Sequence, residues 1–247
     1  MKEINFLEYL GVEEQNLLTG LTLLKDDFNF FLSLDYIYQE PFKRLIVSEK
    51  NELMPFNLLR FIHFHLYFSI SCLIRYHLFE SLASVRKSID AGLTAYKLIL
   101  EPETTEKYLK RDKYFQFIKS YIQDEIKKDS TKYPLANELI KLHDLSSQYG
   151  AHADISSFAG RIELKETSDN TNALFLFQYF QIPKSPEEMK FYFLYILKTF
   201  LSIFNIYSLL FDDRLNKIDP QWRKNIQHLG EKLDESINNY KSLVIKK

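Results

Sequence analysis

Within the stretch from Phe56 to Glu101, apolar residues fill Phe61–Ile74 almost all round, then thin to an amphipathic pattern between Phe79 and Leu100. Pro55 and Pro102 bracket the stretch, which contains no proline and a single glycine, Gly92. The pattern predicts one continuous α-helix over Phe56–Glu101, about 70 Å long at about 1.5 Å per residue. A helix apolar on all sides must be buried by its neighbours, so this one is expected to be the spine of the fold.

The other segments read mostly as helices. Met1–Gly20 predicts one or two short helices punctuated by Gly11 and Gly20. Leu21–Gln39 has helical spacing and is expected to end or kink at Pro41, with a short helix through Phe42–Val47. From Glu103 a charged, aromatic helix is expected to run to about Lys128. Another opens at Pro134 and reaches a C-terminal cap at Gly150. Arg161–Lys165 and the aromatic run Ala173–Gln181 flank the turn-rich Thr167–Asn172, which suggests a β-hairpin. Ser185-Pro186-Glu187-Glu188 is a helix start with an N-cap, a first-position proline and early acids, and Asp219-Pro220 starts the last helix. The expected fold is mainly α: a helical bundle around one long central helix, with a small β-hairpin insertion. It is read as a single domain over 1–247, with N-terminal helices in 1–54, central helices in 55–160, the hairpin in 161–182 and C-terminal helices in 185–247.

Composition narrows the function classes. Hydrophobic residues make up 46% and charged residues 26%, as in an ordinary globular chain. The aromatic content is high, with 21 Phe and 16 Tyr, which suits a core built from few, long elements. A net charge of −1 provides no global field for nucleic acid, so a basic site would have to be local. Cys72 is the only cysteine, which excludes an internal disulfide and a cysteine-based metal cluster. Phe191–Phe211 is long enough to span a bilayer, but Lys198, Ser202, Asn205 and Asp212 form one narrow helical stripe, as on a core helix with one wet edge. No membrane span and no signal peptide are expected, and the location is expected to be cytoplasmic.

Candidate chemistry falls in three places. Arg75, Arg86 and Lys97 recur every eleven residues on nearly one face, and Asp90 lies four residues after Arg86. The face reads either as a cationic strip for a phosphate or acidic partner, or as a solvated edge with one surface ion pair. Tyr149-Gly150-Ala151-His152-Ala153-Asp154 places a Tyr, a His and an Asp at a helix–loop junction. There His152 has the chemistry of a general acid or base that Asp154 or Asp90 could orient, or of a residue that stabilises the turn. Arg223–His228 and Arg60–His65 share a five-residue spacing, which points the two side chains of each pair apart on a regular helix. No Glu-x-x-His, His-Glu-x-x-His, glycine-rich phosphate loop or Gly-x-Ser-x-Gly occurs, so neither a metal nor another cofactor is expected.

The run Leu78-Phe-Glu-Ser-Leu-Ala-Ser-Val-Arg-Lys-Ser-Ile-Asp90, a Glu-Pro break, a charged helix and then Leu145-Ser-Ser-Gln-Tyr-Gly-Ala-His152 follow one another over roughly a third of the chain. This layout resembles uncharacterised bacterial helical proteins similar to the HEPN superfamily of helical bundles. The resemblance implies a role in RNA processing or in antiphage or toxin–antitoxin defence, with a second copy of the chain, RNA or a protein as partner. HEPN ribonucleases pair an Arg and a His four to six residues apart, a spacing that Arg223–His228 matches. The rival expectation is a non-enzymatic interaction or regulatory bundle that binds a protein partner.

Overall fold

The computed structural model describes residues 5–47, 49–150, 161–166 and 173–244. Its first helix, α1 (Phe6–Leu23), is held at its start by a reciprocal cap. The Glu8 backbone N–H donates to the Asn5 side chain at 3.0 Å, and the Asn5 N–H donates to the Glu8 carboxylate at 3.2 Å. Both Gly11 and Gly20 lie inside this one helix, where the sequence suggested punctuation. Gly20 is there for close approach, because a Cβ on it would overlap the Ile74 carbonyl. Gly20→Ala is therefore expected to lower the unfolding free energy by about 1–3 kcal/mol, read by denaturant titration. An unchanged midpoint would show that this approach is not tight. Helix α2 (Phe28–Arg44) likewise runs through Pro41 rather than stopping there, since the missing bond falls near its end and the Leu45 N–H still closes on the Pro41 carbonyl at 3.1 Å.

The expected single spine is two helices, α3 (Lys50–Ile74) and α4 (Leu78–Leu100), folded back on each other. The break is a left-handed residue, Tyr76, at φ 66°. The His77 N–H bonds the Cys72 carbonyl and the Tyr76 N–H bonds the Leu73 carbonyl, each at 2.9 Å. This is the Schellman helix stop, with Tyr in the place usually taken by Gly. Its conformational cost, about 1–2 kcal/mol, is offset by the burial of Tyr76 and by its carbonyl accepting from the Gln181 N–H at 2.7 Å. Serines pin the antiparallel pair. Ser81 Oγ donates to the Ser69 carbonyl at 2.8 Å, and Ser84 Oγ to the His65 carbonyl at 3.2 Å.

The charged aromatic segment is also broken. After a 3-10 turn at Pro102–Thr104 come α5 (Thr105–Leu109), α6 (Lys113–Gln116) and α7 (Ile118–Lys128). The first break repeats the stop at Tyr76, with Arg111 at φ 58° and the Asp112 N–H on the Lys107 carbonyl at 3.0 Å. Helix α8 (Ala136–Gly150) follows, then β1 (Ile162–Glu166) and β2 (Ala173–Phe177), paired antiparallel with Leu164 opposite Phe175. The chain closes with α9 (Pro186–Ile218) and α10 (Trp222–Val244).

The protein is mainly α-helical, and its longest described helix, α9, runs through the core. It packs on α1, α2, α3, α4, α8 and α10, with Phe193, Phe200, Phe204, Tyr207 and Phe211 buried. Tyr38 Oη donates to the Phe200 carbonyl at 2.8 Å within this core. Two helical segments, Asn51–Ile74 and Pro186–Ile218, are long and apolar enough to cross a membrane by length and composition, and 67% of the second one's most apolar window is buried inside the protein.

Candidate functional site

Helix α4 carries Arg86, Asp90 and Lys97 on one side, and that side is largely covered, with Asp90 at its solvent-exposed rim. Helices α7 and α8 lie across it, so it forms a polar seam inside the bundle. At one end Arg86 Nε donates to His143 Nε2 at 3.3 Å. Asp90 Oδ1 is also 3.3 Å from His143 Nε2, while Asp144 Oδ1 and Ser147 Oγ are 3.5 and 3.4 Å from Nδ1. Lys119 of α7 completes the group through an ion pair with Asp144. That lysine holds the Asp144 carboxyl below its ordinary range.

The contacts fit one proton arrangement. An arginine nitrogen can only donate, so in the tautomer with the ring proton on Nδ1, towards Ser147 and Asp144, His143 Nε2 accepts from Arg86. If His143 takes up a second proton, Nε2 loses its lone pair and turns from Arg86 to Asp90. The imidazole thus has a cationic partner for its neutral form and a carboxylate for its charged form, both at the same nitrogen. The His143 side chain is 8% exposed, whereas Asp90 and Asp144 are about half exposed, so the seam opens to solvent at its acidic rim.

Further along α4, Lys97 is buried among Glu101, Glu125, Lys132, Tyr114 and Tyr133. Each carboxylate there is matched by lysines and phenols. This end is a closed structural network rather than a place for a ligand.

The other sequence candidates lie elsewhere. Arg75 caps α3, donating to the Ser71 carbonyl at 3.0 Å, and faces a separate cavity. Arg223 is bound to Asp212 at 2.7 and 3.0 Å on the surface of α10. His228 lines an open groove between α2 and α10, so Arg223 and His228 do not form one site. Arg60 lies over the Phe42 and Phe56 rings, and His65 is held by Ser84 at 2.8 Å, so the second pair of that spacing is also separated. Burial lowers the His65 pKa, which suits that neutral, structural role. His152 and Asp154 lie outside the described residues, as does the side chain of Tyr149.

Sequence reasoning named Arg86 and Asp90 but missed the group they meet. His143 was legible only as a histidine one turn before Ser147 on a helix, and its partners come from a helix about fifty residues earlier. Among the described residues, no group of three or more His, Cys, Asp or Glu side chains is arranged to hold a metal ion. None of the protein families, curated proteins or solved structures compared with the chain matches it.

Proposed function

We propose that the protein is a HEPN-like helical bundle that acts on RNA, in processing or in a defence system, with Arg86 and His143 as its reacting pair. The observation that supports this reading is the 3.3 Å contact between Arg86 Nε and His143 Nε2, next to a carboxylate that can receive the imidazole once it is protonated. In this chemistry His143 removes the proton of a ribose 2′-hydroxyl and the oxygen attacks the adjacent phosphorus. Arg86 neutralises the phosphoryl oxygens as charge develops on them, and Asp90 stabilises the imidazolium. The P–O5′ bond breaks as the O2′–P bond forms, and the 5′-oxygen takes a proton from the imidazolium or water, leaving a 2′,3′-cyclic phosphate and a 5′-hydroxyl. The protein is read as cytoplasmic, with its two long apolar helices serving as core.

The test is incubation of the purified protein with defined single-stranded and hairpin RNAs, followed by analysis of the ends produced. Cyclic phosphate ends made by the wild type and not by His143→Ala support the assignment. Cleavage that survives in His143→Ala, or no cleavage of any RNA, overturns it.

A second reading, a bundle that pairs with a protein partner such as its own copy, is favoured by a different observation. Leu53, Phe61 and Phe64 fall on one side of α3 and are 50, 44 and 58% exposed. Large apolar side chains grouped on one helix face are what an interface buries. A Phe64→Asp protein is expected to sediment as a monomer where the wild type sediments as a dimer. Identical sedimentation of the two would remove this face from consideration.

A further inference from the structure

The α3–α4 stop does more than turn the chain. Around it lies a cavity of about 420 Å³, within the size range of small-molecule sites, lined by side chains from four separated stretches of the chain. Tyr9 and Glu13 come from α1, Ser71 and Cys72 from the end of α3, Arg75 and His77 from the stop itself, Glu80 from α4, and Arg161 and Tyr179 from either side of the hairpin. Glu80 and Arg86 are six residues apart on α4, about 9 Å along the axis and about 120° round it, so this cavity and the Arg86–His143 seam are different places.

Three features distinguish it from an ordinary surface dent. First, His77 is held rigidly. Its Nε2 is 3.0 Å from Glu13 Oε1 and 3.2 Å from Tyr9 Oη, and its ring packs beside Tyr9 and Phe180, which stack on each other. Glu13 as a carboxylate can only accept, so the Nε2 proton is shared between it and the Tyr9 oxygen. The Tyr9 hydroxyl proton is then left to point elsewhere. Burial, and after it the nearby Glu13 and Glu80, raise the Tyr9 pKa, so the phenol keeps that proton.

Second, the cations are not equally engaged. Arg161 is paired with Glu80, but Arg75 uses only Nη1, on Ser71 Oγ and the Ser71 carbonyl. Arg75 has no carboxylate partner among the described residues, so much of its donor fork is unspent. Third, Tyr179 and Phe68 at the mouth are 48 and 45% exposed, leaving aromatic surface open beside the cation. Cys72 is not a nucleophile here, because burial pushes its thiol up to about 11 and keeps it protonated at neutral pH.

We infer that this cavity binds a small molecule carrying an oxyanion on a planar ring, with Arg75 and the Tyr9 hydroxyl holding the oxyanion and Tyr179 covering the ring. The inference stands on these groups alone and does not depend on the RNA reading. A carboxylate and a phosphate monoester present the same acceptor geometry to an arginine fork, so both sources are tested.

The experiment is calorimetric titration of the full chain with benzoate, phenyl phosphate, a nucleoside 5′-monophosphate and inorganic phosphate. At least one ring-bearing probe is expected to saturate below 5 mM, roughly ten times more tightly than inorganic phosphate, as expected when ring contacts add to the anion contact. The better of benzoate and the phosphate esters identifies the oxyanion class. Arg75→Gln is expected to weaken that probe by at least about tenfold, in line with the loss of a charge-assisted bond. Because Arg75 also caps α3, Tyr9→Phe is the second variant. It removes one hydroxyl and is expected to weaken the same probe about fivefold or more. If no ring-bearing probe saturates, or if affinity is unchanged in Tyr9→Phe and in a folded Arg75→Gln, the inference is wrong.

Discussion

A His143→Ala protein is expected to lose RNA cleavage by a factor of about 10²–10⁴ at neutral pH, the usual contribution of a positioned general base. The fold should survive, because the imidazole makes only contacts of 3.3 Å or longer and the groups left behind can pair with each other. Arg86 and Asp90, both within 3.3 Å of the same ring nitrogen, are placed to close directly into an ion pair. His143→Gln is the stricter variant, since it keeps most of the volume and a hydrogen-bonding end but cannot move a proton. Arg86→Lys keeps the charge and loses the planar fork, so its activity should fall between wild type and Arg86→Ala. Rates are to be measured beside thermal midpoints. If His143→Gln cleaves at the wild-type rate with an unchanged midpoint, His143 is only a packing residue. If all variants lose activity and midpoint together, the seam is structural and the chemistry lies elsewhere.

How far the sequence reached depends on which signal each feature uses. The helix start at Ser185-Pro186 rests on local chemistry, and the structure shows the Glu188 N–H donating to Ser185 Oγ at 3.3 Å with Pro186 at the first position. The two helix stops that reading missed share one cause. A Schellman stop is usually announced by glycine, and here Tyr76 and Arg111 occupy the left-handed position instead. Nothing local marks them. Tyr76 is held there by burial and by Gln181, more than a hundred residues later in the chain, so the break in the supposed spine is a tertiary fact. The error had consequences for the site. With one straight helix, Arg75, Arg86 and Lys97 shared a face. With the stop, Arg75 turns to a cavity of its own, and Arg86 and Lys97 are covered by α7 and α8.

The same limit applies to the polar side chains of the seam and the cavity. Arg86 and Asp90 stood out because their spacing is local, one turn of one helix. His143, Glu13 and His77 did not, because what singles them out is a partner on another helix. His77 reads in the sequence as one polar residue among apolar ones. Only folding α1 against the α3–α4 stop gives it Glu13 and Tyr9.

The closed end of the seam sets the largest expected change in stability. Lys97 Nζ, on a side chain 6% exposed, lies 2.7 Å from Glu101 Oε2 and 3.2 Å from Glu125 Oε1. Lys132 bridges the same two carboxylates at 2.7 and 2.8 Å. Tyr133 Oη lies 3.0 Å from an oxygen of each and shares its one proton between them, and Tyr114 Oη donates to Glu125 at 2.7 Å. Two cations balance two anions, so Lys97→Met leaves two carboxylates on one lysine and is expected to cost about 3–5 kcal/mol. The pH dependence follows from Glu125. Burial raises its pKa, but the bonds from Lys132, Tyr114 and Lys97 outweigh burial and hold it at about 2, against 4.5 for a free glutamate. The folded pKa lies below the unfolded one. This contribution is therefore complete above about pH 4.5 and is lost as the pH falls towards 2. The span corresponds to about 3 kcal/mol, at about 1.4 kcal/mol for each pH unit. Urea titrations at a series of pH values should show that acid limb in the wild type and a flatter one in Glu125→Gln, which is already less stable at pH 7. Parallel limbs in the two proteins would mean that the network does not hold Glu125 ionised, and that the stability of the α4–α7 contact rests on its apolar residues alone.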